Sequence, residues 1–177
     1  MTFLFLRRTG RRLAGLPAAA LLCTAVACSA ADRAAGPAVP SPPPTGRQAA
    51  LCRDLHRELP GSVGGLERRS TDPASDFTAA WGDGSAENTI TLRCGVPRPR
   101  IFDDPATGSA VVDGVSWAPE RLRGGGVRCT TPLRPVYIEV TLPGKVAGDG
   151  GDMSALVDLA AAVKKTVPSL DPEDTRS

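Results

Sequence analysis

The 177-residue sequence is poor in aromatic residues and has little net charge. Phe, Trp and Tyr make up only 4% of the chain, so any hydrophobic core must be built mainly from Val, Leu, Ile and Ala. The formal net charge of +2 is too small to indicate a nucleic-acid-binding domain, which usually carries a clear basic excess on one face. A hydrophobic fraction of 41% excludes a polytopic membrane protein and a wholly disordered chain. At this length we expect one domain.

Residues that carry catalysis are also scarce. There is no GxSxG motif for a nucleophilic serine, and the segment Gly61–Gly64, one residue short of that motif, is interpreted as a loop. The only histidine, His56, lies at the edge of the apolar stripe of a predicted helix. The acidic residues that could form a catalytic pair of carboxylates all lie in Gly- and Pro-rich turns, where Asp is a normal turn residue. They are Asp103, Asp104, Asp149 and Asp152. The sequence therefore predicts no enzymatic activity and no cofactor.

The N-terminus has the pattern of a secretory signal peptide over residues 1–27. Four arginines precede an uncharged, mostly apolar segment, Leu13–Ala27, that ends in the small residues Ala25 and Ala27. The arginines are Arg7, Arg8, Arg11 and Arg12. If this leader is removed, 17 basic residues face 19 acidic ones, and the mature chain has a net charge of −2. We therefore expect an exported protein that is cleaved after Ala27.

Cys28 directly follows the small residues at the end of this leader, as in a bacterial lipobox. In that case Cys28 is lipidated, becomes the new N-terminus and anchors the protein to the outer face of the cell membrane. The position three residues before Cys28 is Ala25, where a lipobox usually has Leu. Two alternatives remain open: cleavage without lipidation, which gives a secreted protein, and an uncleaved anchor over the uncharged residues 13–31.

Residues 28–46 predict a spacer between the lipid-bearing Cys28 and a folded domain. They show no apolar periodicity, and the prolines between Pro40 and Pro44 favour an extended polyproline conformation. Such a segment would hold the domain away from the membrane. The folded domain is expected over residues 47–168, followed by a polar tail at 169–177.

The domain is predicted to have an α+β fold. Leu51, Leu55 and Leu59 recur every four residues and predict an N-terminal helix, whereas Val136–Leu142 alternates apolar and polar residues as a strand does. The predicted helices are 48–59 and a second one from residue 152 or 154 to 167. The predicted strands are 77–81, 88–94, 111–112, 115–117, 127–131 and 136–142. This order favours a small antiparallel β-sheet with both helices packed on one face, a two-layer sandwich.

The cysteines of the domain allow two arrangements. Cys52 lies on the apolar stripe of the first helix, and Cys94 points to the same side of its strand as the apolar residues there, so the thiols meet if the helix covers that face. Thiols of exported proteins pair where geometry allows, which favours a Cys52–Cys94 disulfide with Cys129 left as a buried residue. The alternative is a zinc site made of Cys52, His56, Cys94 and Cys129.

One arginine cluster stands out as a candidate contact surface. Arg93, Arg98 and Arg100 lie close together in the sequence, and arginines of this kind recognise carboxylates and phosphates. Together with Trp81 and Trp117 they form the predicted binding surface, because Trp and Arg dominate binding hot spots. Core packing is the alternative role for both tryptophans.

A second arginine cluster, Arg121, Arg123 and Arg128, surrounds the flexible segment Gly124–Gly126. A solvated surface is the alternative interpretation of both clusters. The expected partners are the membrane, through lipid on Cys28, and an envelope protein or a small anionic ligand. We therefore expect a non-catalytic binding module of the cell envelope, with a metal-dependent enzyme and a purely structural envelope protein as alternatives.

Several segments of the chain resemble a family of exported actinobacterial proteins catalogued as domain of unknown function 3515. The resemblance lies in Cys52-Arg53, Trp81-Gly82-Asp83, the LRCGVPRP run at 92–99, the VDGVSW run at 112–117 and the strand 136–140. It implies an actinobacterial envelope lipoprotein and agrees with the pairing of Cys52 and Cys94. It implies no activity, because the family has none assigned. Cys129 departs from the pattern, since an aromatic or aliphatic residue is expected at that position.

Overall fold

The computed structural model describes residues 36–172, which form a helix, a run of strands and further helices. The α-helices are α1 (Gly46–Glu58), α2 (Gly144–Ala147) and α3 (Val157–Thr166). The strands are β1 (Ser62–Val63), β2 (Leu66–Arg69), β3 (Thr78–Gly82), β4 (Thr89–Cys94), β5 (Ala110–Val112), β6 (Val115–Arg121), β7 (Val127–Thr130) and β8 (Ile138–Leu142). Three 3₁₀ turns cover Ala86–Asn88, Arg100–Asp103 and Ser154–Leu156.

The eight strands form one antiparallel sheet in the order β1-β2-β3-β4-β8-β7-β6-β5. The last strand, β8, lies at the centre of the sheet, where it pairs with β4 on one side and β7 on the other. Sequential hairpins account for the remaining pairings. The structure thus has the predicted α+β class and antiparallel sheet.

The hydrophobic core lies between the sheet and the helices. On β4, Ile90, Leu92 and Cys94 are buried, whereas the alternate residues are only partly so. Helix α1 contributes Ala49, Cys52 and Leu55 to this core, and the inward face of α3 contributes Leu159, Ala160, Ala162 and Val163. The period of 2 along the strands and of about 3.6 along the helices explains why these residues meet. We call this side of the sheet the helix-covered face and the other side the open face.

The β1–β2 hairpin lies where the sequence predicts a loop, around Gly61–Gly64. Val63 pairs with Leu66, so Gly64 and Gly65 are the two residues of the turn. Both have positive φ, 57° and 75°, as a two-residue turn between right-twisted strands requires. The pair Gly-Gly is therefore a hairpin signal, and it directs the following strand β2 into the sheet.

Residues 36–44 differ from the spacer expected there, because they pack on the domain. Pro37, Pro40 and Pro44 are buried, and the amide of Gly36 donates a hydrogen bond to the carbonyl of Asp72 at 3.2 Å. Gly95 gives the Pro44 ring room, since a Cβ at position 95 would overlap it. The chain is thus already part of the folded unit at Gly36, ten residues before α1 begins at Gly46.

The predicted signal peptide and Cys28 lie outside the described residues, as do residues 29–35 and 173–177. Between Gly36 and Pro172, no helix combines the length and the apolar character needed to cross a bilayer.

Candidate binding groove on the open face of the sheet

The predicted disulfide is present in the structure and joins α1 to β4. The sulfur atoms of Cys52 and Cys94 are 2.02 Å apart, and both residues are buried. Their sulfurs are therefore unavailable as thiolate ligands of a metal. Cys129 is buried as expected, with its Sγ 3.4 Å from the sulfur of Met153. Burial raises the pKa of Cys129 to about 12, which keeps it a thiol.

The alternative zinc site is therefore wrong. Two of its four ligands are joined in the disulfide, and the remaining cysteine, Cys129, is buried against Met153. The fourth member, His56, contacts a carboxylate instead, with Nδ1 3.9 Å from Oδ1 of Asp76. Within residues 36–172, no group of three His, Cys, Asp or Glu side chains is placed to hold a metal ion.

Both tryptophans lie in the hydrophobic core and cannot take part in the predicted contact surface. Trp81 and Trp117 are each 0% exposed, since both occupy inward positions of the sheet. Trp81 donates its Nε1 hydrogen to the carbonyl of Pro60 at 3.0 Å, which fixes its ring under the β1–β2 hairpin. The core-packing alternative is the one that fits the structure.

Arg93 belongs to an ion-pair network on the open face rather than to a free arginine surface. Its Nη1 lies 3.1 Å from Oε1 of Glu139, and Nε of Arg128 lies 3.7 Å from the other carboxylate oxygen. Arg128 also pairs with Glu120 at 3.3 Å. Two arginines thus balance two glutamates, and Glu139, which both arginines contact, is only 8% exposed.

Arg98 and Arg100 have different surroundings from Arg93. Arg98 donates a hydrogen bond to the carbonyl of Phe102 at 2.7 Å, lies 3.4 Å from Asp103 and covers the Phe102 ring. It thus stabilises the 3₁₀ turn that follows β4. Arg100 is exposed and has no hydrogen bond or ion pair within the described part of the chain. The three arginines share no common partner.

The second arginine cluster is also divided. Arg121 donates to the carbonyls of Asp149 at 3.0 Å and Gly150 at 2.8 Å, which holds the loop after α2. Arg128 belongs to the network around Glu139, and Arg123 is exposed. The glycines between these arginines, however, line a concave surface that the sequence did not predict.

This concave surface is a groove of about 910 Å³ on the open face of the sheet. We call it the sheet-face groove. Its floor consists of outward-facing residues of four adjacent strands, and they are Arg69, Ala80, Thr89, Thr91 and Thr141. Its walls are the β3–β4 loop at 84–87, the β6–β7 turn at 122–125, the start of α2 at 143–145, and the segments 36–37 and 70–72. The small side chains of the floor make the surface concave.

The wall formed by the β3–β4 loop is held in one shape by Asp83. Its carboxylate accepts hydrogen bonds from the side chain of Asn88 at 2.9 Å and from the amide and hydroxyl of Ser85 at 2.8 and 2.7 Å. These hydrogen bonds lower the pKa of Asp83 to about 2, and the one from Asn88 contributes most. Gly82 allows the tight approach of the loop, since a Cβ there would overlap the carbonyl of Asn88.

The opposite wall depends on glycine as well. Gly126 has φ +84°, and a Cβ there would overlap the carbonyl of Leu142, so only glycine lets the β6–β7 turn lie so close to the end of β8. Lys145 and Glu87 form an exposed ion pair at 3.2 Å, which connects the start of α2 to the β3–β4 loop. The groove therefore has walls that the backbone forms in advance of any ligand.

Arg69 is the charged residue of the floor, and it differs from its neighbour Arg68. Arg68 points to the helix-covered face, where it donates to the carbonyls of Leu59 at 3.0 Å and His56 at 3.3 Å and lies over the Trp81 ring. Arg69 points into the groove and forms no hydrogen bond or ion pair with any residue that the structure describes. Arg69 could not be singled out from the sequence, because only the register of β2 distinguishes it from Arg68.

The fold and the groove define a small α+β domain with a concave surface on the open face of its sheet. The chain belongs to the family described as "Protein of unknown function (DUF3515)", whose model matches residues 13–172 of the 177. This match confirms the family suggested by the sequence, and the family's description assigns no activity. In comparisons with curated proteins and with solved structures, no match to this chain was found.

Proposed function

We propose that this protein is an actinobacterial envelope lipoprotein, anchored to the outer face of the cell membrane through Cys28, whose domain binds a ligand in the sheet-face groove. The observation that carries the proposal is the groove itself. A volume of about 910 Å³ lies within the range of about 300–1,000 Å³ that is usual for small-molecule sites. Such sites are usually formed in advance, as the glycine-dependent walls of this groove are.

The position of the groove relative to the predicted anchor supports a role at the membrane surface. Gly36 and Pro37 form part of one wall, and Gly36 is only the eighth residue after Cys28 along the chain. Eight extended residues span at most about 29 Å. A lipid on Cys28 would therefore keep this wall of the groove within about that distance of the bilayer.

The side chains of the groove favour binding over catalysis. General acid–base chemistry needs a titratable group in reach of a reacting atom, most often a histidine. The described residues that line the groove include no histidine or cysteine, and the hydroxyl of Ser85 already donates to Asp83. The lining instead offers the Arg69 guanidinium, hydroxyl groups and aliphatic surface, together with the exposed Asp72 and the Lys145–Glu87 ion pair, and these groups suit holding a molecule in place.

The binding proposal is tested by native mass spectrometry of the mature protein after incubation with a small-molecule and lipid extract of the producing cell's envelope. Thr91→Trp fills the floor of the groove, and Val111→Trp places the same side chain on an edge strand outside it, where Val111 is 69% exposed. We expect wild type and Val111→Trp to retain the same bound molecule and Thr91→Trp to lose it. Equal retention by all three proteins, or retention by none, contradicts the proposal.

The tether is tested separately with Cys28→Ala in cells. We expect the wild-type protein in the membrane fraction and Cys28→Ala, with its leader still removed, in the medium. A wild-type protein found only in the medium would exclude lipidation. A wild-type protein that stays in the membrane with the mass of its leader would indicate the uncleaved anchor.

A further inference from the structure

We infer that the sheet-face groove binds a small organic molecule with a terminal carboxylate or phosphate, which Arg69 holds, and an uncharged body that lies across Thr91 and Thr141. The inference rests on the proposed function, because it names the class of ligand for the same groove. It depends on the placement of Arg69, on the charge balance of the lining and on the chemistry of the floor.

Arg69 lies at one end of a straight row of outward-facing residues. The register pairs Arg69 with Ala80, Ala80 with Thr91, and Thr91 with Thr141, so the row crosses β2, β3, β4 and β8. Adjacent strands are about 4.8 Å apart, and the row is therefore about 14 Å long. A ligand along this row would have its charged end at Arg69 and its other end at Thr141.

The guanidinium of Arg69 is held in position without a counter-ion. It lies against Gly84, where a Cβ would overlap it, and Gly84 has φ +97°. Arg69 is only partly exposed and forms no hydrogen bond or ion pair within residues 36–172. By contrast, Arg68 donates to two backbone carbonyls, and Arg93 and Arg128 pair with glutamates. An arginine that is partly removed from water gains most from a carboxylate or phosphate, either of which it can bind through two parallel hydrogen bonds.

The other charged side chains of the groove favour a ligand with a single anionic group, at one end. Lys145 is already paired with Glu87 at 3.2 Å, and the exposed Asp72 adds a negative charge at the wall. These carboxylates disfavour a ligand with more than one anionic group. A molecule with one terminal anion and a neutral body therefore fits the charge distribution best.

The floor beyond Arg69 suits a body that carries hydroxyl or methyl groups. The hydroxyl groups of Thr91 and Thr141 form no hydrogen bond with any described residue, so they are free to bind a ligand, and Ala80 between Arg69 and Thr91 adds aliphatic surface. The described residues that line the groove include no Trp, Tyr or Phe. Proline-rich peptides dock in grooves lined by aromatic rings, and the groove lacks that feature.

The inference is tested by NMR titration of the ¹⁵N-labelled mature protein with matched probes that differ in charge. Glycerol 3-phosphate is compared with glycerol, and butyrate with butyramide. We expect at least one anionic probe to cause saturable shifts of the Arg69 Nε–H and of the Thr91 and Thr141 amides, with the neutral counterpart at least tenfold weaker. The stronger of the two anions identifies the preferred group.

Arginine variants show whether the effect is specific to the groove. Arg69→Gln should weaken binding of the anionic probe at least tenfold, and Arg69→Lys should retain an intermediate affinity, since it keeps the charge but loses the bidentate geometry. The control is Arg53→Gln, because Arg53 is exposed on α1, on the other side of the sheet. It should leave the affinity unchanged. Melting curves verify that each variant is folded.

Three results would overturn the inference: neutral probes that bind as tightly as anionic ones, an Arg69→Gln protein with unchanged affinity, or no saturable shift at the groove with any probe. These results are distinct from failure of the proposed function. If the envelope extract yields a molecule that wild type retains and Thr91→Trp loses, the groove remains a binding site while the assignment of an anionic ligand falls.

Discussion

The two faces of the sheet are built from alternate residues of the same strands, yet they have different properties. On β4, Ile90 and Leu92 are buried under the helices, whereas Thr89 and Thr91 form part of the floor of the sheet-face groove. The helix-covered face contains the disulfide and both tryptophans. The open face contains the ion-pair network and the unpaired Arg69. We therefore propose that the helix-covered face mainly stabilises the fold and that the open face binds the ligand.

The largest effect that separates the two faces is expected from neighbouring residues of β4. Leu92→Ala removes a side chain that is 2% exposed and should lower the free energy of unfolding by about 2–5 kcal/mol. Thr91→Ala on the open face should change it by less than about 0.5 kcal/mol. Urea denaturation of both variants measures the difference. Equal losses would show that the open face is as important to the core as the helix-covered face.

The same alternation explains how much of this fold could be predicted from the sequence. The strand predicted at 88–94 is Thr89–Cys94, and the helix predicted at 48–59 is Gly46–Glu58, because both have a clear apolar period. The disulfide followed from those two periods. By contrast, residues 36–44 show no apolar period, because their contacts with the domain come from isolated buried prolines. The packing of this segment therefore could not be predicted from the sequence.

The groove could not be predicted because its parts are distant in sequence. Its lining comes from four strands and several loops between Gly36 and Lys145, and only the strand order brings them together. Small residues such as Ala80 and Thr91 carry no motif of their own. Sequence reasoning instead favoured Trp and Arg clusters, and it could not tell that Arg93 is neutralised by Glu139.

A smaller difference is expected between the adjacent arginines of β2. Arg68→Gln loses hydrogen bonds to two carbonyls and the contact with Trp81, so it should lower the free energy of unfolding by about 1–2 kcal/mol. Arg69→Gln should change it by less than about 0.5 kcal/mol, because Arg69 has no partner among the described residues. Denaturation midpoints at one pH distinguish the two. A loss for Arg69→Gln as large as that for Arg68→Gln would place Arg69 in the structural framework.

The smallest effect on stability is expected from His56. Burial, and to a smaller extent the charge of Arg68, lowers the pKa of His56 below 6.5, whereas the Asp76 carboxylate acts in the opposite direction. The folded state therefore binds the proton more weakly than the unfolded state does. Stability from this group is complete above pH 6.5 and decreases as the pH falls through 6.5 toward the lower folded pKa.

His56→Gln should remove this part of the pH dependence. The measurement is the urea midpoint of wild type and variant on both sides of pH 6.5. A decrease of the same size in both proteins would assign the acid sensitivity to another group.

The most direct test of the division between the faces combines stability and binding in one variant, Thr91→Trp. Native mass spectrometry with the envelope extract and a urea denaturation curve are recorded on the same preparation. We expect the bound molecule to be lost while the unfolding midpoint stays close to that of Val111→Trp. A folded Thr91→Trp protein that still retains the molecule would contradict it, because the sheet-face groove would then not be the binding site.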